Sequence, residues 1–188
     1  MPRKSRFFLP GAPVHIVQRG HSRGPVFFAS DDYANYAYWM RESAKIYGVS
    51  VHAFVLMTNH THLLVTAQEA EGVSLFMQNV GRRYTPYSNR KYRKSGSVWE
   101  GRFKASLVQE EDYFLRVMVY IELNPVRAKM VDQPAQYTWS SYCHNAGIRE
   151  ISLVTPHRLY EALGKTDAVR QKTYIDLFGA EHGVDELN

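Results

Sequence analysis

An α+β fold, with an antiparallel four-stranded sheet in βαββαβ order and helices on one face, is predicted by three features of the 188-residue chain. Four short stretches alternate apolar and polar residues or are rich in β-branched side chains. Two longer stretches between them carry apolar residues at helical spacing. The two middle β-rich stretches adjoin at Thr58–Asn59, which reads as a hairpin or two sequential strands. That order is the ferredoxin-like plan.

The elements follow in turn. "VHIVQRG", Val14 to Gly20, alternates and stops at a glycine, as a strand does. "SDDYANYAYWMRESAKIYG" offers Ser30 or Asp31 as a cap, early acids, an apolar stripe and a closing Gly48, the marks of a helix. "VSVHAFVLMTN" and "HTHLLVTA" are the second and third strands. Gly72 to about Tyr92 is helical, with irregularity expected at Gly81 and Pro86. "GSVWEGRFKASLVQ" is the fourth strand, interrupted at Gly101. "EEDYFLRVMVYIELN" is a third helix, with acids in its first turn and Pro125 just past its expected end.

Residues 1–135 form the main domain on this reading, and residues 136–188 a small helical appendage. Short helices are expected there at Thr155–Leu163, with Pro156 at the first helical position, and at Ala168–Phe178, stopped by Gly179. The acidic tail from Glu181 is expected to fray.

Composition narrows the function. A hydrophobic content of 45% suits one globular domain with a short appendage. The net charge of +5 is concentrated: Arg82 to Lys104 holds eight cations and one acid, Glu100, so the rest of the chain is slightly acidic. A second small basic cluster, Arg3, Lys4 and Arg6, opens the chain. Cys143 is the only cysteine, which excludes a disulfide framework and a cysteine-based zinc site. The start lacks an apolar signal region, and no apolar run approaches membrane-spanning length. A cytoplasmic, nucleoid-associated protein with no membrane partner is expected.

The basic segment interleaves with Tyr84, Tyr87, Tyr92, Trp99 and Phe103. Cations track a phosphate backbone and rings stack on unpaired bases, which points to single-stranded or hairpin DNA. A charge run alone is usually a solvated face and strand aromatics are often core, so the reading rests on the combination. Arg82, Arg83, Arg90, Lys91 and Arg93 are the main candidate phosphate contacts, with Arg19, Arg102 and Lys104 behind them.

In "TNHTHLLV" the alternation of a strand projects His60 and His62 from one face, a two-ligand start for a metal site. A lone His-x-His is more often a surface or hydrogen-bonded pair, because a metal needs a third ligand. On the third helix, Tyr113, Arg116, Tyr120 and Asn124 share one face, while Phe114, Val117, Met118 and Ile121 turn toward the sheet. Arg116 is a further DNA-contact candidate. The Asn124 amide oxygen completes a three-ligand site with positions open to a phosphate oxygen. Tyr120, one turn away, is then a nucleophile toward a phosphodiester, with the metal as Lewis acid. Glu122 points off that face, against a plain zinc hydrolase. None of the eight histidines is followed two residues on by Ser or Thr, which excludes a two-histidine phosphoesterase.

"NHTHLL" together with "YIELNPVRA" resembles the HUH single-tyrosine DNA transposases, and in particular the REP-associated tyrosine transposases. "VHIVQRG" and "GSVWEGRFKA" resemble further landmarks of that family, so the similarity runs from about Val14 to Trp139. The resemblance implies the same four-stranded fold, a divalent ion (Mg²⁺ or Mn²⁺) held by His60, His62 and Asn124, and Tyr120 as nucleophile. It implies cleavage and rejoining of hairpin-forming DNA with palindromic repeats through a 5′-phosphotyrosine. Thr61 departs from the family, which usually has a bulky hydrophobic residue between the histidines; threonine is β-branched and suits a strand. The alternative is a catalytically idle DNA-binding regulator on the same fold, against which the presence of all four site residues counts. Monomer and homodimer both remain open.

Overall fold

The computed structural model describes residues 7–109 and 111–185, without the side chains of residues 111, 112 and 180–185. The expected basic cluster Arg3, Lys4 and Arg6 and the acids at the start of the third helix therefore lie outside the described side chains. The elements are β1 (Pro13–Arg19), α1 (Ser30–Tyr47), β2 (Val49–Met57), β3 (His60–Ala67), α2 (Gly72–Tyr92), β4 (Lys104–Leu107), α3 (Glu111–Arg127), α4 (Tyr142–Asn145), α5 (Arg158–Glu161) and α6 (Asp167–Asp185). The sheet runs β2-β3-β1-β4 with every neighbouring pair antiparallel, the expected plan.

Strand alternation sorts the side chains into two cores. Val14, Ile16, Phe54, Leu56, Leu63 and Val65 pack with α1 and α2 through Tyr36, Met40, Phe76 and Val80. Ala53, Val55, Met57 and Leu64, of opposite parity, meet Phe114, Val117, Met118 and Ile121 of α3 on the other face. Each such buried side chain stabilises the fold by about 1.5–3 kcal/mol, so the orientation of α3 on the sheet is firmly set. The same parity places His15, His60 and His62 on the α3 face. Thr61, between the two histidines, is fully buried on the α1–α2 side.

Several elements depart from the sequence reading, each for a local reason. The N-cap of α1 is Ala29 rather than Ser30 or Asp31, and Asp32 at the third helical position reaches back to accept from the Phe28 and Ala29 amides at 2.8 and 3.0 Å. Helix α2 runs unbroken past Gly81 and Pro86, because Val73, Phe76, Met77, Val80 and Tyr84 bury its inner face. The fourth strand shrinks to Lys104–Leu107: Trp99 keeps one isolated bridge to Gly20, and Gly101 at φ 142° breaks the run. Helix α3 continues through Pro125 to Arg127. Proline has no N–H for the Ile121 carbonyl, and the Asn124 side-chain amide substitutes, donating to Ile121 O at 3.3 Å and to Tyr120 O at 2.8 Å. The expected Thr155–Leu163 helix is the single turn of α5, capped by His157, which accepts from the Leu159 amide. Helix α6 passes Gly179 and extends to Asp185, beyond the point where fraying was expected.

The chain after α3 closes around it. Its loops pair with the outer edge of β2: Leu56 N donates to Trp139 O at 2.9 Å, Ser141 N to Phe54 O at 2.9 Å and Thr155 N to Val51 O at 2.7 Å. Tyr142, Cys143, Tyr160, Tyr174 and Phe178 complete the α3 core. Within it lies Glu122, fully buried, whose carboxylate accepts from Ser141 Oγ at 2.5 Å, Asn145 Nδ2 at 2.8 Å and the Tyr174 hydroxyl at 2.8 Å. Burial pushes its carboxyl up to about 7 against the pull of those three donors. No helix among the described residues is long and apolar enough to cross a membrane.

Candidate active site

The sheet face under α3 gathers three imidazoles and a phenol. The Tyr120 ring stands edge-on to His62, 5.8 Å between centroids, and to His15 at 6.1 Å. His60 and His62 are 5.1 Å apart. Tyr120 is 41% exposed between the buried Val119 and Ile121, with its ring edge-on to the histidines. The Arg127 guanidinium lies 5.2 Å over that ring. Tyr113 and Arg116 are exposed further along the helix, and Tyr120 is the tyrosine with ring contacts to these histidines among the described residues.

Hydrogen bonds orient the imidazoles. The Asn59 amide donates to Arg23 O at 3.0 Å, which turns its oxygen to His60 Nδ1 at 2.7 Å. That oxygen only accepts, so Nδ1 of His60 carries the proton and Nε2 keeps its lone pair. His62 Nδ1 is 3.0 Å from Nε2 of His15, and these two rings stack at 5.3 Å. Burial lowers the pKa of all three, that of His62 to about 3, with His15, His60 and Arg19 adding to the effect on His62. The rings are thus neutral at physiological pH and able to ligate.

The donor chemistry fits a divalent ion. Two imidazoles offer Nε2, and the amide nitrogen of Asn124 is committed to its own helix, so Oδ1 is the atom this side chain could offer an ion. Mixed nitrogen and oxygen donors without thiolate suit Mn²⁺, and Mg²⁺ when phosphate oxygens join them. No group of three or more His, Cys, Asp and Glu is placed to hold a metal among the described residues, and a two-histidine site with an amide is outside that pattern.

Cations flank the site on one side. Arg19 pairs opposite His60 in the β1–β3 register. With Arg23, Arg102 and Lys104 it lines a cleft of about 410 Å³ beside Val17, where four cations face one acid, Glu100. A second cleft of about 650 Å³, on the α2 side, is lined by Gln18, Arg82 and Trp99, and the two clefts share Gly101 and Arg102 as a common rim. Arg83 bonds Asn79 at 3.0 Å and borders, with Arg90, a groove between α1 and α2 that Asp31, Asn35 and Trp39 line from the α1 side, and exposed Arg93 ends α2. Lys91 is bound otherwise: its ammonium sits between Asp31 at 2.5 Å and Asp32 at 2.7 Å, pinning α2 to α1.

The interleaved aromatics are not an open stacking surface. Tyr84, Trp99 and Phe103 are buried, while Tyr87 and Tyr92 direct their hydroxyls to Asp32. Sequence reasoning also passed over His15, Asn59, Arg23 and Arg127. His15 stood inside a strand whose alternation gave its face, and Arg127 stood within the tyrosine motif; Asn59 and Arg23 carried no signal beyond their neighbourhood.

A helical tyrosine set over a histidine pair on an antiparallel sheet defines a class of DNA-processing transposases, and a family model described as transposase, IS200 like, matches residues 10–124. The chain belongs to that family. Among solved structures, a REP-associated tyrosine transposase bound to a REP hairpin shares the fold at 15% identity and TM-score 0.66, over 84% of this chain and 99% of the other. A Deinococcus radiodurans protein described as a candidate transposase matches at 17% identity and TM-score 0.45, over 64% and 95%. A bacterial tRNA(His) guanylyltransferase-like protein in complex with GTP matches at 10% identity and TM-score 0.47, over 73% and 72%. No curated protein matches the chain.

Proposed function

We propose that this transposase cleaves and rejoins single-stranded, hairpin-forming DNA with Tyr120 as the nucleophile. The observation that carries the reading is the Tyr120 ring set 5.8 Å from His62 on the sheet face that also bears the basic cleft. A divalent ion held by His60, His62 and Asn124 would supply Lewis-acid stabilisation of the phosphate. Tyr120 Oη attacks phosphorus, losing its proton to solvent. The bond to the 3′ oxygen breaks, that oxygen takes up a proton, and a 5′-phosphotyrosine remains. A second 3′ hydroxyl can reverse the step and rejoin strands without a nucleotide cofactor, since the tyrosyl ester preserves the diester. Arg127, stacked over one face of the ring, holds it in place.

DNA would follow the rim shared by the two clefts, from Arg82 past Arg102 to Lys104 and Arg19, with Arg83, Arg90, Arg93 and Arg116 as outer contacts. Lys91, neutralised by Asp31 and Asp32, adds little to this path. The binding is electrostatic, so log affinity should fall with log salt at a slope of about −0.7 per phosphate contact. Replacing Arg82, Arg90 and Arg93 together by Ala should flatten the slope by about two units. An unchanged slope, in filter binding from low to high salt, would move the DNA off the α2 side.

The test of function is incubation with end-labelled hairpin DNA and Mn²⁺, followed by denaturing electrophoresis. A covalent adduct should form, vanish in excess chelator, and vanish in His60→Ala while DNA binding persists. Adduct formation undiminished in chelator would overturn the metal assignment. Tight binding with no adduct in any divalent ion would favour the idle regulator.

A further inference from the structure

We infer that His15 is a positioning residue that holds His62 in its metal-ligating tautomer. The inference rests on the reading of His60, His62 and Asn124 as the ligands, and it adds a residue that makes no metal contact of its own. His15 Nε2 lies 3.0 Å from His62 Nδ1, and the rings stack at 5.3 Å with 19° between their planes. Between two neutral imidazoles that hydrogen bond has two forms. In one, His62 donates from Nδ1 and its Nε2 is bare; in the other, His15 donates and His62 Nε2 carries a proton and cannot ligate. Only the first is compatible with an ion beside His60 and Tyr120, so His15 must act as acceptor.

The same arrangement recurs two residues earlier, at His60. His60 gives its Nδ1 proton to the Asn59 oxygen at 2.7 Å, so each histidine of the pair has its own acceptor, supplied by a different element. His15 itself is not a third ligand, since the three histidines do not form a group placed to hold a metal. Its position comes from strand pairing: it stands opposite Leu64 in the β1–β3 register, and its ring leans along the strand to reach His62. Edge contact with Tyr120 at 6.1 Å makes it a support for the phenol as well.

Two variants separate positioning from packing. His15→Phe keeps a flat ring for the stack and removes the acceptor, and His15→Gln restores an acceptor oxygen. Mn²⁺ binding to the DNA-free protein, followed by the electron paramagnetic resonance of free Mn²⁺, should weaken about 10–100-fold in His15→Phe and recover in His15→Gln. Nitrogen-15 NMR of the metal-free proteins should show His62 protonated on Nδ1 in the parent and in His15→Gln, with that preference lost in His15→Phe. Unchanged Mn²⁺ affinity in His15→Phe, or equal weakening in both variants, would overturn the inference while leaving the ligand set intact. A parent protein that binds no Mn²⁺ would overturn the ligand reading and this inference with it.

Discussion

Tyr120→Phe should abolish both DNA cleavage and the covalent adduct while leaving DNA affinity within about twofold of the parent. The substitution removes one oxygen from a side chain that is 41% exposed, and the ring keeps its edge contacts with His62 and His15. The α3 core is made by Phe114, Val117, Met118 and Ile121, so stability should change by less than about 0.5 kcal/mol. Tyr113→Phe is the matched control, because that tyrosine lies on the same helix and is also exposed. It should cleave like the parent. An adduct that persists in Tyr120→Phe and is lost in Tyr113→Phe would name the other phenol as the nucleophile.

The second large effect concerns Glu122. Its carboxylate accepts from Ser141, Asn145 and Tyr174, so Glu122→Ala removes three buried hydrogen bonds, leaves Ser141 and Asn145 only their longer bonds to Phe54 O and His52 O at 3.3 and 3.2 Å, and opens a cavity. A loss of about 3 kcal/mol or more is expected, lowering the melting temperature by about 6–12 °C. The sign of the pH dependence follows from burial, which raises the folded carboxyl to about 7 from an ordinary 4.5. A raised carboxyl is protonated in the folded state, so its stabilisation is fully present below pH 4.5 and is lost as pH rises through 7. The change over that window is about 3 kcal/mol. Glu122→Gln should remove this part of the pH dependence while keeping most of the stability. Melting curves at pH 5 and pH 8 that fall equally in parent and Glu122→Gln would assign the titration to another group.

What the sequence made legible was periodic. Two-residue alternation put His60 and His62 on one side of a strand, and helical spacing put Tyr113, Arg116, Tyr120 and Asn124 on one stripe; both patterns survive folding because burial of their alternate residues enforces them. What it hid depends on pairs brought together across the fold. His15 meets His62 only through the β1–β3 register. The aromatics from Tyr84 to Phe103 looked available for bases because composition does not say which side of a helix faces α1, and the packing buries three of them. Lys91 looked like a phosphate contact until Asp31 and Asp32, some sixty residues earlier, were brought beside it. Pro125 read as a stop, and a side-chain amide one residue before it carries the helix through.

The backbone bonds that Val51, Phe54 and Leu56 make to the segment after α3 also bear on how copies of this chain could assemble. A sheet grows by adding strands at its margins, and the β2 margin is already occupied by the chain's own loops. The opposite margin is β4, four residues long and headed by exposed Lys104, which with Arg102 lines the basic cleft. A second copy docking strand to strand would have to lie there, across the surface proposed for DNA. On the proposed DNA path, self-association by sheet extension and nucleic-acid loading would compete for one margin, and an assembly that keeps DNA bound would be built through other surfaces.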